Sequence, residues 1–320
     1  VENWHIYTTG LLLLITALPL APTDHWIARV WEFPRVQISG LLLINTLAVI
    51  VFVDSNTISM WVCLGISGCC LVYHLIWILP YTALWRKQVQ SSAANPDEHI
   101  SIITANVLMS NKDTGKLIDL VIQLEPDILV TLETNSWWQD KLSILHERYP
   151  YRVASPLDNL YGMHLYSKRI LNDVELKERV EQGVPSITCS IVINDSKHIK
   201  AYFLHPAPPS PTENESAEQR DHELMQVANE IRTQSGPIIV TGDLNDVAWS
   251  PSTREFRKTS GLLDPRIGRG IFNTFHADYR FCRWPLDHIF HSDEFELTQI
   301  KRLPNIGSDH FPLYSKLSLK

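Results

Sequence analysis

The feature that most constrains this chain is where its charge is missing. Between Glu2 and Asp24, between Arg35 and Asp54, and between Asp54 and Arg86 the sequence carries no Asp, Glu, Lys or Arg. A helix crossing the apolar core of a bilayer needs about 20 apolar residues. Residues 6–21, 36–53 and 58–84 are therefore read as three transmembrane helices, the first shorter than the others. The tail of the third, 77–85, carries the Trp and Tyr that collect at a membrane–water interface. The first stretch has a second reading as the core of a signal peptide, but Glu2 and Asn3 stand where a basic segment belongs and no cleavage site follows clearly. A buried helical hairpin of a soluble protein is a third reading, and no stretch shows the amphipathic face it requires.

Residues 1–97 hold only four Lys/Arg, Arg29, Arg35, Arg86 and Lys87, and five Asp/Glu, against 28 and 35 in the whole chain. By the positive-inside rule, Arg29 and Arg35 in the first loop and Arg86 and Lys87 after the third span place the first loop and the C-terminal domain on the cytoplasmic side. The expectation is a multi-pass protein of a bacterial-type inner membrane, with residues 1–90 as membrane region, 91–98 as linker and 99–320 as a folded domain. That domain is acidic, which argues against bulk nucleic acid as partner, since non-specific binders neutralise phosphates with Lys and Arg. A locally basic cleft would draw on Lys112, Arg266 and Arg269. Cys63, Cys69 and Cys70 read as small hydrophobes. Cys189 and Cys282 would pair only in an oxidising compartment.

Beyond the linker, strand and helix patterns interleave. Residues 99–106, 127–132, 237–241, 286–291 and 311–319 read as strands, 186–194 and 198–204 as a hairpin across Asp195-Ser196, and 116–124, 213–232 and 252–259 as helices. The expected fold class is α/β, two packed mixed sheets with helices outside.

Polar groups recur at the strand ends: Asn106, Glu133, His205, Gly242-Asp243-Leu244-Asn245, Asp287-His288 and Ser308-Asp309-His310. Each alone is ordinary, because Asn and Asp favour turns. Together they contain what phosphoester hydrolysis needs. Glu133 and Asn106 suit a Mg²⁺-type cation, which takes oxygen ligands. Asp243 and Asn245, two apart, would share a face of an extended chain and hold a water. His310, paired with Asp287 or Asp309, would stabilise developing charge on phosphorus. His164 and His288 read as structural groups, Trp137-Trp138 as packing or a wall near the metal, 205–211 as a stiff proline-rich loop at the pocket edge, and Arg220 as a surface or inter-helix ion pair.

This ordered set resembles the endonuclease/exonuclease/phosphatase superfamily, which includes deoxyribonuclease-I-like nucleases, apurinic endonucleases, inositol polyphosphate 5-phosphatases and neutral sphingomyelinases. The resemblance covers roughly 98–320 and points to a membrane-anchored, bacterial-type member. It implies a four-layer α/β sandwich and metal-dependent cleavage without a covalent intermediate, with Mg²⁺, or Mn²⁺, as cofactor. Carried over, Glu133, Asn106 and Asp309 are the metal residues. Asp243 activates the water; Asn245, His205 and His310 contact the phosphate; Asp287 polarises His310; Asp309 lies beside the metal or the imidazole. The segment 161–168 departs from the Gly-rich strand usual there, since Lys168 and Arg169 close it.

The leading reading is a membrane-anchored phosphodiesterase or phosphatase whose substrate is a lipid-linked phosphate, because a short linker holds the pocket near the bilayer. Membrane-bound relatives point the same way, although they suggest an outward-facing domain. The alternatives are a metal-dependent endo- or exonuclease and, from another class, a non-catalytic module that binds a phosphorylated ligand. No obligate protein partner is expected.

Overall fold

A computed structural model describes residues 3–92 and 98–320. The N-terminal part consists of α1 (Trp4–Ala17), the short α2 (Trp26–Arg29), α3 (Arg35–Phe52) and α4 (Ile58–Ile78). Trp4 packs with Val49, Val53 and Met60 at one end, and Leu12 and Ile15 with Ile38, Leu42 and Cys70 further along, so the three long helices run up, down and up. Arg35–Phe52 and Ile58–Tyr81 are long and apolar enough to cross a membrane, and Trp4–Leu20 is apolar but shorter. The bundle buries polar side chains beside these apolar contacts and exposes apolar ones. Its interior carries Asn45, which donates to Thr9 (2.9 Å) and Ser67 (3.3 Å) and accepts from Thr8 (2.7 Å), and Thr16 bonded to His74 (3.0 Å). Its outer surface exposes Leu11, Leu41, Ile44, Leu47, Val62 and Ile76. Hydrogen bonds between buried polar side chains and apolar faces outward are how helices associate in lipid.

The third apolar stretch was expected to continue to residue 84, but α4 stops at Ile78. Pro80 cannot donate to a continuing helix, and the chain makes a tight turn, Leu79–Tyr81, onto the second half of the molecule.

That half is a four-layer sandwich. One sheet has β1 (His99–Asn106), β2 (Ile128–Leu132), β3 (Tyr151–Ser155), β4 (Met163–Ser167), β10 (Phe295–Arg302) and β11 (Leu313–Leu319) in the order β10-β11-β1-β2-β4-β3. The other has β5 (Leu171–Glu178), β6 (Pro185–Asn194), β7 (Lys197–Leu204), β8 (Ile238–Asp243) and β9 (Asp287–His291), in chain order. Alternation along β1 builds two layers at once: Ile100 and Ile102 meet Ile187, Phe203 and Ile239 between the sheets, while Ile103 and Ala105 face α5 (Gly115–Leu124) and α6 (Ser136–Lys141). On the far side, α7 (Glu218–Arg232) and α8 (Pro251–Ser260) cover the second sheet through Leu224, Val227 and Phe256. Each such fully buried aliphatic or aromatic side chain contributes about 1.5–3 kcal/mol. The expected α/β sandwich is therefore the observed fold.

β1 and β2 run parallel, as do β7 and β8, and the two pairs lie face to face. Thr104 and Thr241 bridge the sheets by a 2.7 Å hydroxyl contact just before the strands end. This brings the four strand termini to one place.

The expected helix 213–232 begins only at Glu218. Upstream, Trp26 N–H donates to Glu215 O (2.9 Å) and Ala217 N–H to Asp24 O (2.8 Å), so these backbone groups belong to a bridge with the helical region. The two halves also share a core of Ile78, Tyr81, Val247, Trp249, Ile267 and Leu286. Trp249 Nε1 donates to Glu32 O (2.8 Å) and Tyr81 hydroxyl to Ala248 O. Of the expected linker, 93–97 lie outside the described residues, and Ser92 N–H donates to Leu297 O (3.0 Å). Cys189 and Cys282 are both free, Cys189 buried and Cys282 exposed.

Trp249→Ala removes the centre of the shared core and one buried hydrogen bond. It should destabilise the protein by about 3–5 kcal/mol, seen as a lower thermal midpoint of the detergent-solubilised protein.

Candidate active site

The site is built from the ends of β1, β2, β7 and β8, the start of β9, and the loop before β11. Asn106, the last residue of β1, is buried, and its Nδ2 donates to Glu133 Oε1 (2.7 Å) and Asp243 Oδ2 (3.1 Å). One amide thus joins carboxylates from both sheets. Glu133, just past β2, has a left-handed backbone (φ 59°). Gly242 precedes Asp243 because β7 presses against it: a Cβ there would lie 1.8 Å from Leu204 O.

His310 is the cation at the centre. Its Nδ1 lies 2.8 Å from Asp287 Oδ2 and its Nε2 3.4 Å from Asp243 Oδ2, so the pairing left open between Asp287 and Asp309 falls to Asp287. The Phe275 ring packs against the imidazole, with centroids 4.9 Å apart. Burial opposes the imidazolium, but Asp243 and Asp287 overcome it and hold His310 up to about 10. His205 goes the other way. Burial, only partly offset by Asp243 at 4.0 Å, lowers it to about 4, which leaves a neutral ring beside a cationic one. Burial, reinforced by Asp309 and Asp243, pushes Glu133 up to about 7, against the pull of Asn106 and His310. Asp309 is half-buried, accepts from Ser308 Oγ (3.3 Å), and its carbonyl accepts from Ala277 N–H (2.6 Å).

Asn245 reaches the site by a different route from the one expected. Asp243 ends β8 and Asn245 has a left-handed backbone (φ 50°), so the two do not share the face of an extended strand. Instead the Asn245 N–H donates to Asp243 Oδ1 (2.9 Å) and its Nδ2 to Pro206 O (3.0 Å). A small cavity of about 70 Å³ opens here, lined by Glu133, Tyr161, His205, Pro208, Glu213 and Asn245. Tyr161 stacks near His205 at 5.3 Å and donates its hydroxyl to Glu213, so the proline-rich loop does form the rim.

Two arginines, one expected in a surface or inter-helix ion pair and one in a basic cleft, are buried. Arg220 is not a surface ion pair: it is buried, donates to Asn245 O (3.0 Å), and lies 2.8 Å from Asp221 and 3.5 Å from Asp246. Asp246 and Arg220 extend this network to Glu32, which burial and the nearby Asp246 push up to about 7. Arg266 is wholly buried, pairs with Asp264 (2.8 Å), and donates to Asp287 O (3.2 Å). It therefore lines no surface groove. Arg269 is turned to Val89 O (2.7 Å) and Ser91, while Lys112 lies over the Trp137 ring at 4.4 Å. The spacing Asp264-x-Arg266 was a usable signal, since short acid–base pairs close on themselves. His288 lies beneath the site, between Arg266 (2.7 Å) and Asp246 O (2.9 Å), and His164 is buried beside Tyr166, as their structural readings expect. Trp138 is core packing, and Trp137 is partly buried against the same cluster.

The donor set suits a divalent cation. Glu133, Asp243, Asp287 and Asp309 converge with one imidazolium to balance them, and Asp287 Oδ1 is buried without a hydrogen-bond partner. Asp243, Asp287 and His310 offer ligand atoms within 4.8 Å of one another. The carboxylate oxygens of Glu133, Asp243, Asp287 and Asp309 are of the kind a hard cation takes, and among them Asp287 Oδ2 is already engaged by His310 Nδ1.

A model of the Endonuclease/Exonuclease/phosphatase family matches residues 103–310. The chain belongs to that family. It is accordingly a metal-dependent hydrolase of phosphoester bonds. Solved structures share its fold at low identity. Zebrafish (D. rerio) TDP2 complexed with single strand DNA product is 14% identical, with TM-score 0.58, covering 69% of this chain and 100% of that one. The human Nocturnin catalytic domain with bound sulfate is 16% identical, with TM-score 0.56, covering 71% and 97%. Beta toxin 275-280 of Staphylococcus aureus is 16% identical, with TM-score 0.50, covering 69% and 100%. A search of curated proteins finds no match.

Arg220→Met leaves Asp246 buried without its cation and frees the Asn245 carbonyl. Removing one partner of a buried pair costs about 3–5 kcal/mol, so the urea midpoint of this variant should fall well below that of the parent.

Proposed function

We propose that this family member is a membrane-anchored, Mg²⁺-dependent phosphoesterase acting on a lipid-linked phosphate ester. The observation that carries the reading is the attachment of the site's rim to the helical bundle. Glu213 lines the cavity, and two residues later Glu215 accepts from Trp26 in the connector between α1 and α3. Trp249, six residues past Asp243, is bonded to Glu32 in the same connector. With the apolar outer face of α1, α3 and α4 in lipid, the site opens beside the headgroup layer. The burial of Arg266 and the engagement of Arg269 remove two of the three cations that a nucleic-acid groove would have used.

In this reading Glu133, Asn106 and Asp309 hold the cation, which when bound neutralises charge on the phosphoryl oxygens. The Asp243 carboxylate orients and deprotonates the attacking water. Asn245 keeps one amide proton on Pro206 O and has a second to give to the phosphate. His205, neutral, contacts the same group. His310, held by Asp287, donates from Nε2 toward the charge that develops on phosphorus. The clustering of Arg29, Arg35, Arg86 and Lys87 at the end of the bundle that meets the catalytic domain favours the cytoplasmic side. A reporter fused after Lys320 should then be active only in the cytoplasm.

The test is an activity panel on the detergent-solubilised protein, with a phosphatidylinositol phosphate, sphingomyelin, an isoprenoid pyrophosphate and duplex DNA, each with Mg²⁺ and with chelator. Turnover of a lipid substrate that chelator abolishes is expected, with Asp243→Ala reducing it roughly 10³-fold or more. Asp287→Asn should lower kcat by about 10²-fold or more, through loss of the oriented imidazolium. Strong DNA cleavage without lipid turnover would overturn the substrate, and an active Asp243→Ala variant would overturn the site.

A further inference from the structure

At the end of α4, with a lining that shares no residue with the catalytic cavity, lies a second and larger cavity of about 700 Å³. Its lining includes Arg86, Lys87, Arg254 and Arg257 and, among the described residues, no carboxylate. Arg254 and Arg257 stand one turn apart on α8. Arg254 donates to Ile76 O (3.0 Å) and Trp77 O (3.3 Å) at the open end of α4 and lies over the Trp77 ring at 3.7 Å. Arg257 donates to the Tyr81 hydroxyl (3.3 Å) and to Gln88 Oε1 (2.9 Å), and its Nε is buried without a partner. These partners fix the two guanidinium groups in place, and none of them is a carboxylate.

Further positive charge surrounds this pair. Arg86 and Lys87 are exposed, and their backbone is held tightly against Gly268, where a Cβ would lie 2.5 Å from Lys87 N. Arg35 is buried over the same Trp77 ring at 4.8 Å, and all three of its side-chain nitrogens lack a hydrogen-bond partner. Burial lowers Arg254 from its usual range, and the neighbouring Arg35 and Arg257 add to that effect. Like charges gathered where burial lowers the dielectric repel one another unless an anion joins them.

We propose that this cavity binds the phosphate of an anionic lipid headgroup. Two adjacent guanidinium groups supply the forked donors that phosphate oxygens accept, and Arg86 and Lys87 close the site from the solvent side. The choice of a lipid over a free phosphate follows from position. The cavity begins where the apolar helix Ile58–Tyr81 ends, and Leu84, 88% exposed, and Trp85 flank it with the apolar and aromatic surface of an interfacial residue pair. The inference rests on the membrane placement proposed above and assigns a site separate from the catalytic one.

The test uses the full chain in an uncharged maltoside detergent. Short-chain phosphatidylglycerol, short-chain phosphatidylcholine or inorganic phosphate is added, with thermal midpoint and native mass spectrometry as readouts. Phosphatidylglycerol should raise the midpoint by several degrees and remain bound, while phosphatidylcholine does neither. An Arg86→Gln/Lys87→Gln double variant changes only exposed side chains, so its unliganded midpoint should match the parent. Its affinity for phosphatidylglycerol should be weaker by about tenfold or more, as expected for two lost charges near an anionic headgroup. Equal effects of the two lipids, or unchanged affinity in the double variant, would overturn the site. The same shift from inorganic phosphate at equal concentration would overturn the lipid as its source. Release of the protein from membranes by alkaline wash would instead remove the membrane placement itself, a failure distinguishable from a retained protein that shows no lipid preference.

Discussion

One protonated imidazole holds the acidic centre of this protein together. His310 bridges Asp287 and Asp243, and through Asn106 the same contact extends to Glu133, so side chains from both sheets depend on it. Buried carboxylates repel one another unless cations lie among them, and the molecule meets this by alternating charge in layers. Beneath Asp287 lies Arg266, balanced by Asp264; beneath Asn245 lies Arg220, balanced by Asp221 and Asp246. The arginines grip backbone carbonyls rather than the reacting groups. They set where the strand ends point.

Much of this was legible in the sequence because it lies at the ends of apolar runs. β1 is bounded as expected, since Ile100, Ile102, Ile103 and Ala105 are buried on both faces and leave an uninterrupted signal. β5 escaped, because on this sheet edge the apolar Val174 and Leu176 are a short run amid polar residues and the register shift between Asn172 and Glu175 breaks the period of two. β10 was hidden by the register shift between Leu297 and Gln299, which breaks the period of two.

The candidate site shows the same division. Asp243, His310 and Asp287 were readable as strand-end polar groups; the residues alone left His310 between Asp287 and Asp309, the family resemblance pointed to Asp287, and the 2.8 Å contact agrees with it. The bend at Asn245 escaped a reading that ran the strand on past Asp243, although Asn is one of the few residues besides Gly that favours a left-handed backbone. Nor was the role of Arg220 readable, since a charged residue within a polar pattern looks like surface until its distant partner is known. Arg220 meets the carbonyl of a residue 25 positions away.

The bridge between His25 and Ser216 bears on the order in which the molecule is made. The loop that rims the site borrows its pairing partner from a connector synthesised long before it. An N-terminal half emerging first from the ribosome is already in place as a template when residues 205–217 appear. The catalytic half therefore completes its rim against a surface already synthesised, and the appearance of a finished pocket is tied in time to the earlier folding of the N-terminal helices.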